Sequence, residues 1–299
     1  MGFVRHCARL GDGKAKMPTP GKVLVYRHTR VTRITHWINV VALVLLLMSG
    51  LQIFNAHPAL YWGKQSNFDR PWLAMTAEMR GADVVGVTQL GSLKLPTTGV
   101  LGFSGKADMA GPRGFPAWAT LPASQDLADG RRWHFFFAWM FVINGLVYWG
   151  TNLINGHIRR DLVPTRKDIA PTNLWHEIVT HARLKFPKGE AARRYNVLQK
   201  GAYLGVVLIL LPLMVLTGLT MSPGLDAGFS WLLDLFGGRQ SARSLHFITA
   251  ALIVGFILLH LAMVLVSGVW NNLRSMITGR YAIQVEPAPA EPALKGAAE

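Results

Sequence analysis

The chain has 299 residues, of which 51% are hydrophobic and only 16% are charged. Its apolar residues are concentrated in four blocks, each near the length of about 20 residues that a bilayer crossing needs, which indicates a multi-pass membrane protein. The net charge of +15 does not indicate a nucleic-acid-binding protein, because no soluble domain presents a basic helix or an aromatic platform.

The N-terminal segment, residues 1–30, is polar and irregular and precedes the first predicted span, Ile34–Phe54. This segment is basic and lacks a compact apolar core, so we expect no cleaved signal and a span that anchors itself. The single cysteine, Cys7, argues against an intrachain disulfide, a cysteine-ligated iron–sulfur cluster and covalent haem attachment. Any haem is therefore expected to be b-type and non-covalent.

A long segment, residues 55–132, separates the first span from the second, Trp133–Ile154. It contains short β-like pieces, Asp83–Thr88 and Ser92–Leu95, but no strong structural pattern over its whole length. Loops of this length are usually functional or disordered, and we expect this one to form a surface that docks a partner.

The second half of the chain contains two further spans. The connection after the second span is basic and includes a predicted amphipathic helix, Asn173–Phe186, on the membrane surface. The third span, Gly201–Met221, contains Pro212, which we expect to kink it. A short apolar stretch, Phe229–Phe236, is interpreted as interfacial, and Leu245–Trp270 is the fourth span.

The distribution of basic residues predicts the topology. Arginines and lysines precede the first span and fill the connection between the second and third spans, which places both termini in the cytoplasm and residues 55–132 outside. The predicted domains are a cytoplasmic N-terminal segment (1–30), a membrane domain (31–280) and a disordered cytoplasmic tail (281–299). The predicted fold class is an all-α membrane protein: a four-helix transmembrane bundle with a long periplasmic segment between helices 1 and 2 and a cytoplasmic amphipathic helix between helices 2 and 3.

Histidines are the candidate functional residues within the predicted spans. His246 and His260 are fourteen residues apart, about 21 Å along a helix and only about 40° around it. With alternating topology, His36 lies at the inner level with His260, and His134 lies at the outer level with His246. Imidazoles at such depth are costly without a partner and are common axial ligands of haem iron. The spacing predicts two bis-histidine haems b, one held by each pair.

Two glycines match the depths of these histidines. Gly50 lies fourteen residues after His36, and Gly145 lies eleven residues after His134, so each helix offers a glycine at the level of the other haem. The missing side chain would let a macrocycle approach the backbone. The alternative is that these glycines only serve helix packing.

Arginines also lie at the outer level, where the positive-inside rule predicts few basic residues. Arg131 and Arg132 directly precede the second span, and Arg239 and Arg243 precede the fourth. They are candidates to neutralise haem propionates. The alternative is that they anchor lipid headgroups or dock a partner.

Several motifs resemble those of the di-haem cytochrome b subunits of the bacterial cytochrome b561 superfamily, over residues 24–280. The matching elements are Arg33-Ile34-Thr35-His36-Trp37, His134, Arg194-Tyr195-Asn196-Val197-Leu198-Gln199-Lys200, His246 and His260. The chain is most similar to the thiosulfate reductase type, beside the subunits of nickel–iron hydrogenases and formate dehydrogenases.

The resemblance implies a role in the bacterial inner membrane. It implies electron transfer between ubiquinone or menaquinone, bound near the inner haem, and a periplasmic molybdenum or nickel–iron enzyme, with or without an iron–sulfur subunit. The side chains that could donate a proton to quinone are Asn39, Asp161, Asp168, His176 and Glu177. Two alternatives stay open: a stand-alone cytochrome b561 that oxidises quinol with a small oxidant, and a haem-free transporter or assembly factor.

Overall fold

The computed structural model describes residues 21–106, 110–156, 163–166, 168–183 and 197–285. Predictions that involve Cys7, Asp161, Phe186, residues 194–196 or the tail beyond Val285 lie outside these ranges. Within them, four helical stretches are long and apolar enough to cross a membrane: Arg30–Asn55, Leu127–Ile154, Val197–Leu219 and Arg239–Val266. The prediction of four spans is confirmed.

The helices begin and end close to the predicted positions. They are α1 (Arg30–Asn55), α2 (Leu127–Ile154), α3 (Pro171–Ala182), α4 (Val197–Leu204), α5 (Leu211–Leu219), α6 (Pro223–Asp226), α7 (Ser230–Leu235), α8 (Arg239–Val266) and α9 (Val269–Thr278). Side chains satisfy free N–H groups at the first two N-termini: Thr29 accepts from the N–H of Thr32, and Asp126 accepts from that of Asp129.

The third span is interrupted by a π-helix, Gly205–Leu210, which joins α4 to α5. In a regular α-helix the ring of Pro212 would collide with the carbonyl of the residue four positions earlier, Leu208. The N–H of Leu211 bonds the carbonyl of Val206, five residues back. This wider turn accommodates the proline and rotates the face of α5 relative to α4, by about 100° for one added residue.

The spans form two helix pairs. α1 packs along α2 and α5 packs along α8, whereas the two pairs make few close backbone contacts with each other. Between α1 and α2, the buried Asn144 donates through Nδ2 to the Thr35 carbonyl at 2.8 Å and to Asn39 Oδ1 at 2.7 Å. Polar bonds of this kind help to hold two membrane helices in register.

The described residues between 59 and 113 contain six strands at one end of the bundle, which corrects the all-α fold class and the expectation of a segment without strong structure. The predicted β-like pieces Asp83–Thr88 and Ser92–Leu95 are confirmed as strands. The strands are β2 (Ala59–Leu60), β3 (Leu73–Arg80), β4 (Asp83–Leu90), β5 (Leu93–Pro96), β6 (Gly102–Ser104) and β7 (Gly111–Arg113), which follow β1 (Gly21–Tyr26). β2 to β5 form an antiparallel sheet in sequence order, and β6 pairs with β7. Gly81 and Gly91 adopt positive φ in the two-residue turns before β4 and β5.

This sheet is attached to the bundle by an apolar core and by polar contacts to α8. Phe54 at the end of α1 is buried with Leu73 and Met75 of β3, and Phe247 of α8 packs against them. Trp72 Nε1 donates to Ser244 Oγ at 2.9 Å. We call this end of the bundle the sheet side.

The opposite end, which we call the termini side, joins both ends of the described chain. β1 pairs with β8 (Arg280–Val285) in an antiparallel two-stranded sheet, and Trp37 Nε1 donates to the Met276 carbonyl at 3.1 Å. Ordered structure therefore includes part of the segment predicted as irregular (1–30) and the first residues of the predicted tail (281–299). The pairing of β1 with β8 joins segments that are more than 250 residues apart, which no local sequence pattern predicts.

The predicted amphipathic helix is present as α3. Its exposed apolar residues are Leu174, Trp175 and Ile178. Asp168, just before α3, forms an ion pair with Lys200 of α4 at 2.9 Å. This contact ties the amphipathic helix to the beginning of the third span.

Candidate functional site

The four predicted histidines meet two by two. His134 of α2 lies beside His246 of α8 on the sheet side, with ring centroids 6.3 Å apart. His36 of α1 lies beside His260 of α8 on the termini side, with ring centroids 6.5 Å apart. The structure therefore brings the same histidines together that the helical spacing paired.

These separations fit two imidazoles on opposite sides of one metal ion. A metal–nitrogen bond of about 2 Å puts each ring centroid about 3.2 Å from the metal, so that opposed rings have centroids about 6.4 Å apart. The observed values of 6.3 and 6.5 Å lie on either side of this figure. The spacing of each pair therefore fits two imidazoles that would hold one iron between them.

The ligand number favours haem over a bare metal ion. Among the described residues, no group of three or more His, Cys, Asp or Glu side chains gathers to bind a metal. Structural zinc needs four protein ligands and catalytic zinc usually three, whereas haem iron brings four porphyrin nitrogens and needs only two axial ligands. The sparse backbone contacts between the α1–α2 and α5–α8 pairs are also compatible with a flat macrocycle between them.

Hydroxyl groups hold both imidazoles of the sheet-side pair. Ser49 Oγ lies 3.1 Å from His134 Nδ1, and Thr217 Oγ1 lies 3.0 Å from His246 Nδ1. Both hydroxyl residues are fully buried. A histidine that binds metal through Nε2 usually forms a hydrogen bond through Nδ1.

Glycines follow both hydroxyl residues and make room for the same rings. A Cβ added to Gly50 would lie 3.3 Å from His134 Cε1, and one added to Gly218 would lie 3.5 Å from His246 Cε1. Gly50 therefore accommodates the imidazole at its own level. Sequence reasoning missed Ser49, Thr217 and Gly218, although the repeated hydroxyl–glycine pair was a signal that could have found them.

The termini-side pair has a different environment. His36 Nδ1 is buried without a hydrogen-bond partner among the described residues, and Phe256 stacks on His260 with ring centroids 5.9 Å apart. A Cβ added to Gly145 would meet nothing within 4 Å. Gly145 thus contacts no neighbouring side chain there, and its role beside a macrocycle stays a prediction.

The predicted propionate-binding arginines already have partners. Arg132 pairs with Asp129 at 2.9 Å on an exposed surface, and Arg131 lies over its neighbouring Phe135 ring. Arg243 donates to the carbonyls of His57 and Ala59, which follow α1. These contacts hold the chain after α1 against α8, one turn before His246.

The arginine nearest the sheet-side pair also influences a titratable neighbour. Burial, and then the Arg243 guanidinium, lowers the pKa of His57. His57 Nε2 lies 3.1 Å from the Tyr61 hydroxyl, and the two rings stack. His57 is therefore favoured as a neutral side chain on the sheet side.

The predicted proton donors for quinone are spread over the termini side. Asn39 accepts from Asn144, while His176 and Glu177 lie on α3. The Thr165 N–H and the Lys200 ammonium lower the pKa of Asp168, which keeps this carboxylate ionised. The described candidates therefore lie on different elements, α1, α3 and the segment before α3, and their role toward quinone stays a prediction.

Comparison with known proteins gives two matches of different kinds. The family model described as prokaryotic cytochrome b561 matches residues 27–279. A relative from Azospira oryzae, provisionally named protein-methionine-sulfoxide reductase subunit YedZ1, is 27% identical over 255 residues, which cover 84% of this chain and 96% of the relative. No solved structure gives a significant match.

Proposed function

Because the chain belongs to the prokaryotic cytochrome b561 family, we propose that it is a di-haem cytochrome b that carries electrons between quinone and a periplasmic oxidoreductase. The family itself establishes the coarser statement: this is a multi-pass b-type cytochrome of a membrane electron-transport system. The number of haems, the quinone and the partner belong to the proposal.

The observation that supports two haems is the pair of imidazole pairs at opposite ends of one bundle. α8 contributes a ligand to each, and the fourteen residues from His246 to His260 span about 21 Å of helix. Each haem, when bound, supplies an iron that accepts and returns one electron. The four histidines would hold both irons within the membrane, one at each end of the bundle.

The charge distribution supports an orientation with the termini side in the cytoplasm. Arg30 and Arg33 lie at the start of α1, and Lys200 lies in α4 close to the same side of the bundle. Basic residues of this kind are retained on the cytoplasmic side of bacterial membrane proteins. The sheet-side pair then faces the periplasm, and quinone exchanges electrons at the termini-side pair.

The β-rich domain, which consists of β2 to β7 and their connections, supports a peripheral partner. It covers the end of α8 that carries His246, and Trp62 and Phe68 within it and Trp118 just after β7 are exposed. Aromatic side chains are enriched at protein interfaces. The name of the Azospira relative favours, among periplasmic oxidoreductases, a protein-methionine-sulfoxide reductase as the partner.

The two alternatives receive less support. A stand-alone enzyme that passes electrons to a small oxidant has no need of a folded domain over its sheet-side pair. Membership of a cytochrome family argues directly against a haem-free transporter.

Spectroscopy on the purified chain tests the proposal. We expect a red protein that contains two b-type haems per chain in a pyridine haemochrome assay, and both haems should be reduced by a quinol. A colourless protein, or one haem per chain in a fully folded sample, would overturn the di-haem assignment. Rapid reoxidation by air without a partner would favour the stand-alone enzyme, whereas co-purification with a periplasmic oxidoreductase supports the subunit.

A further inference from the structure

The sheet-side histidines are held by a repeated structural element that, among the described residues, does not recur at the termini-side histidines. Ser49-Gly50 on α1 contacts His134, and Thr217-Gly218 on α5 contacts His246. In each case the hydroxyl meets Nδ1 and the glycine gives the ring access to the helix backbone.

The direction of these hydrogen bonds follows from a second contact of each hydroxyl. Ser49 Oγ lies 2.6 Å from the Leu45 carbonyl, and Thr217 Oγ1 lies 2.7 Å from the Leu213 carbonyl. A hydroxyl has one hydrogen, and a carbonyl oxygen can only accept. The hydroxyl hydrogen therefore goes to the carbonyl, and the hydroxyl oxygen accepts the Nδ1–H of the imidazole.

This arrangement, together with the backbone carbonyls of Leu46 and Met214 that also accept from His134 and His246, selects one tautomer of each sheet-side imidazole. With the hydrogen on Nδ1, the lone pair is on Nε2, which is the nitrogen left to bind iron. An acceptor at Nδ1 also makes the imidazole a more basic ligand. A more basic axial ligand stabilises oxidised iron more than reduced iron and lowers the reduction potential.

The termini-side pair does not receive the same support. His36 Nδ1 is buried without a partner within the described part of the chain. We propose that Ser49 and Thr217 are positioning residues that fix the tautomers of His134 and His246 and keep the reduction potential of the sheet-side haem below that of the termini-side haem. This inference rests on the proposed di-haem function.

Buried hydroxyls elsewhere in the bundle offer a matched control. Thr249 of α8 is equally buried, and its Oγ1 donates to the Leu245 carbonyl at 2.7 Å. It hydrogen-bonds no histidine in the part of the chain that the structure describes. Replacing Thr249 therefore removes the same kind of hydroxyl from the same kind of helix without changing a ligand.

The experiment is a redox titration of the intact haem-loaded protein, followed by optical and low-temperature electron paramagnetic resonance spectra. The variants are Ser49→Ala, Thr217→Val, their combination and the control Thr249→Val. His134→Ala assigns the lower-potential wave by removing it. We expect each single variant to shift the lower wave to higher potential and the double variant to shift it further, with the upper wave unchanged.

The conservative variants separate positioning from packing. Ser49→Thr and Thr217→Ser keep the hydroxyl and should restore the wild-type potential and low-spin signal. If Ser49→Ala loses the sheet-side haem while Ser49→Thr retains it, the positioning role is supported. If Thr249→Val also loses the sheet-side haem, the positioning role is overturned, because the loss of any buried hydroxyl would then have the same effect.

Other outcomes are equally decisive. An unchanged lower wave in the double variant, or a shift of the upper wave instead, would overturn the inference while the di-haem function stands. A wild-type protein without two haems would overturn the proposed function itself. The two failures are therefore distinguishable in the same set of samples.

Discussion

The pairing of ligands can be tested with double variants of the histidines. Each single change, such as His36→Ala or His246→Ala, removes one of two axial ligands. The two pairs are about 21 Å apart along α8, well beyond the range of about 10 Å within which substitutions couple. We therefore expect each single variant to retain about one haem per chain in the pyridine haemochrome assay.

The double variants distinguish the pairing from every other assignment. His36→Ala combined with His260→Ala removes two ligands of the same haem. The second change should therefore remove no further haem, and one haem per chain should remain. His36→Ala combined with His246→Ala removes one ligand from each haem and should leave none.

The low-spin ferric signals provide the independent readout. The variant that lacks both termini-side histidines should keep the signal of the sheet-side haem unchanged, and the variant that lacks both sheet-side histidines should keep the other signal. If the combination of His36→Ala with His246→Ala still binds one haem, these two side chains ligate the same iron. The geometry described above would then be wrong.

Three further predictions concern the surroundings of the site. Gly50→Leu should release the sheet-side haem, because even a Cβ would lie 3.3 Å from His134 Cε1, and a haem count that stays at the wild-type value would contradict this contact. Trp72→Phe should lower the free energy of unfolding in detergent by about 1 kcal/mol through loss of the bond to Ser244 Oγ; an unchanged value would mean that the bond adds no stability. The pKa of Asp168 is lowered in the folded protein, so its contribution to stability is present above the unfolded pKa and is lost as pH falls through the folded pKa. Proteolysis within α3 should accordingly increase at acid pH in the wild type, whereas Asp168→Asn should show this susceptibility at neutral pH as well.

Much of the membrane architecture was predictable because it depends on local physics. A bilayer requires about 20 apolar residues in a continuous helix, so each span leaves a readable block in the sequence. Helical geometry then fixes the depth of every residue in a span, and depth alone was sufficient to pair His36 with His260 and His134 with His246.

The β-rich domain was predictable only in part. The pieces Asp83–Thr88 and Ser92–Leu95 correspond to β4 and β5. β3 was missed because it begins with three consecutive buried residues, Leu73, Ala74 and Met75, instead of an alternating pattern. The domain is stabilised by contacts with Phe54 of α1 and with Phe247 of α8, and Phe247 is distant in sequence. Periodicity detects a strand with one buried face, and these strands are buried partly by the bundle itself.

The sequence by itself determined the four spans, the non-covalent character of any haem and the levels of the four histidines, because composition and helical rise act along the chain. Only the tertiary structure decided what surrounds those histidines. Ser49 and Thr217 reach His134 and His246 because α1 packs against α2, and α5, rotated by the π-helix, packs against α8. Side-chain neighbours across helices depend on rotation and crossing, and neither leaves a trace in the order of residues along one helix.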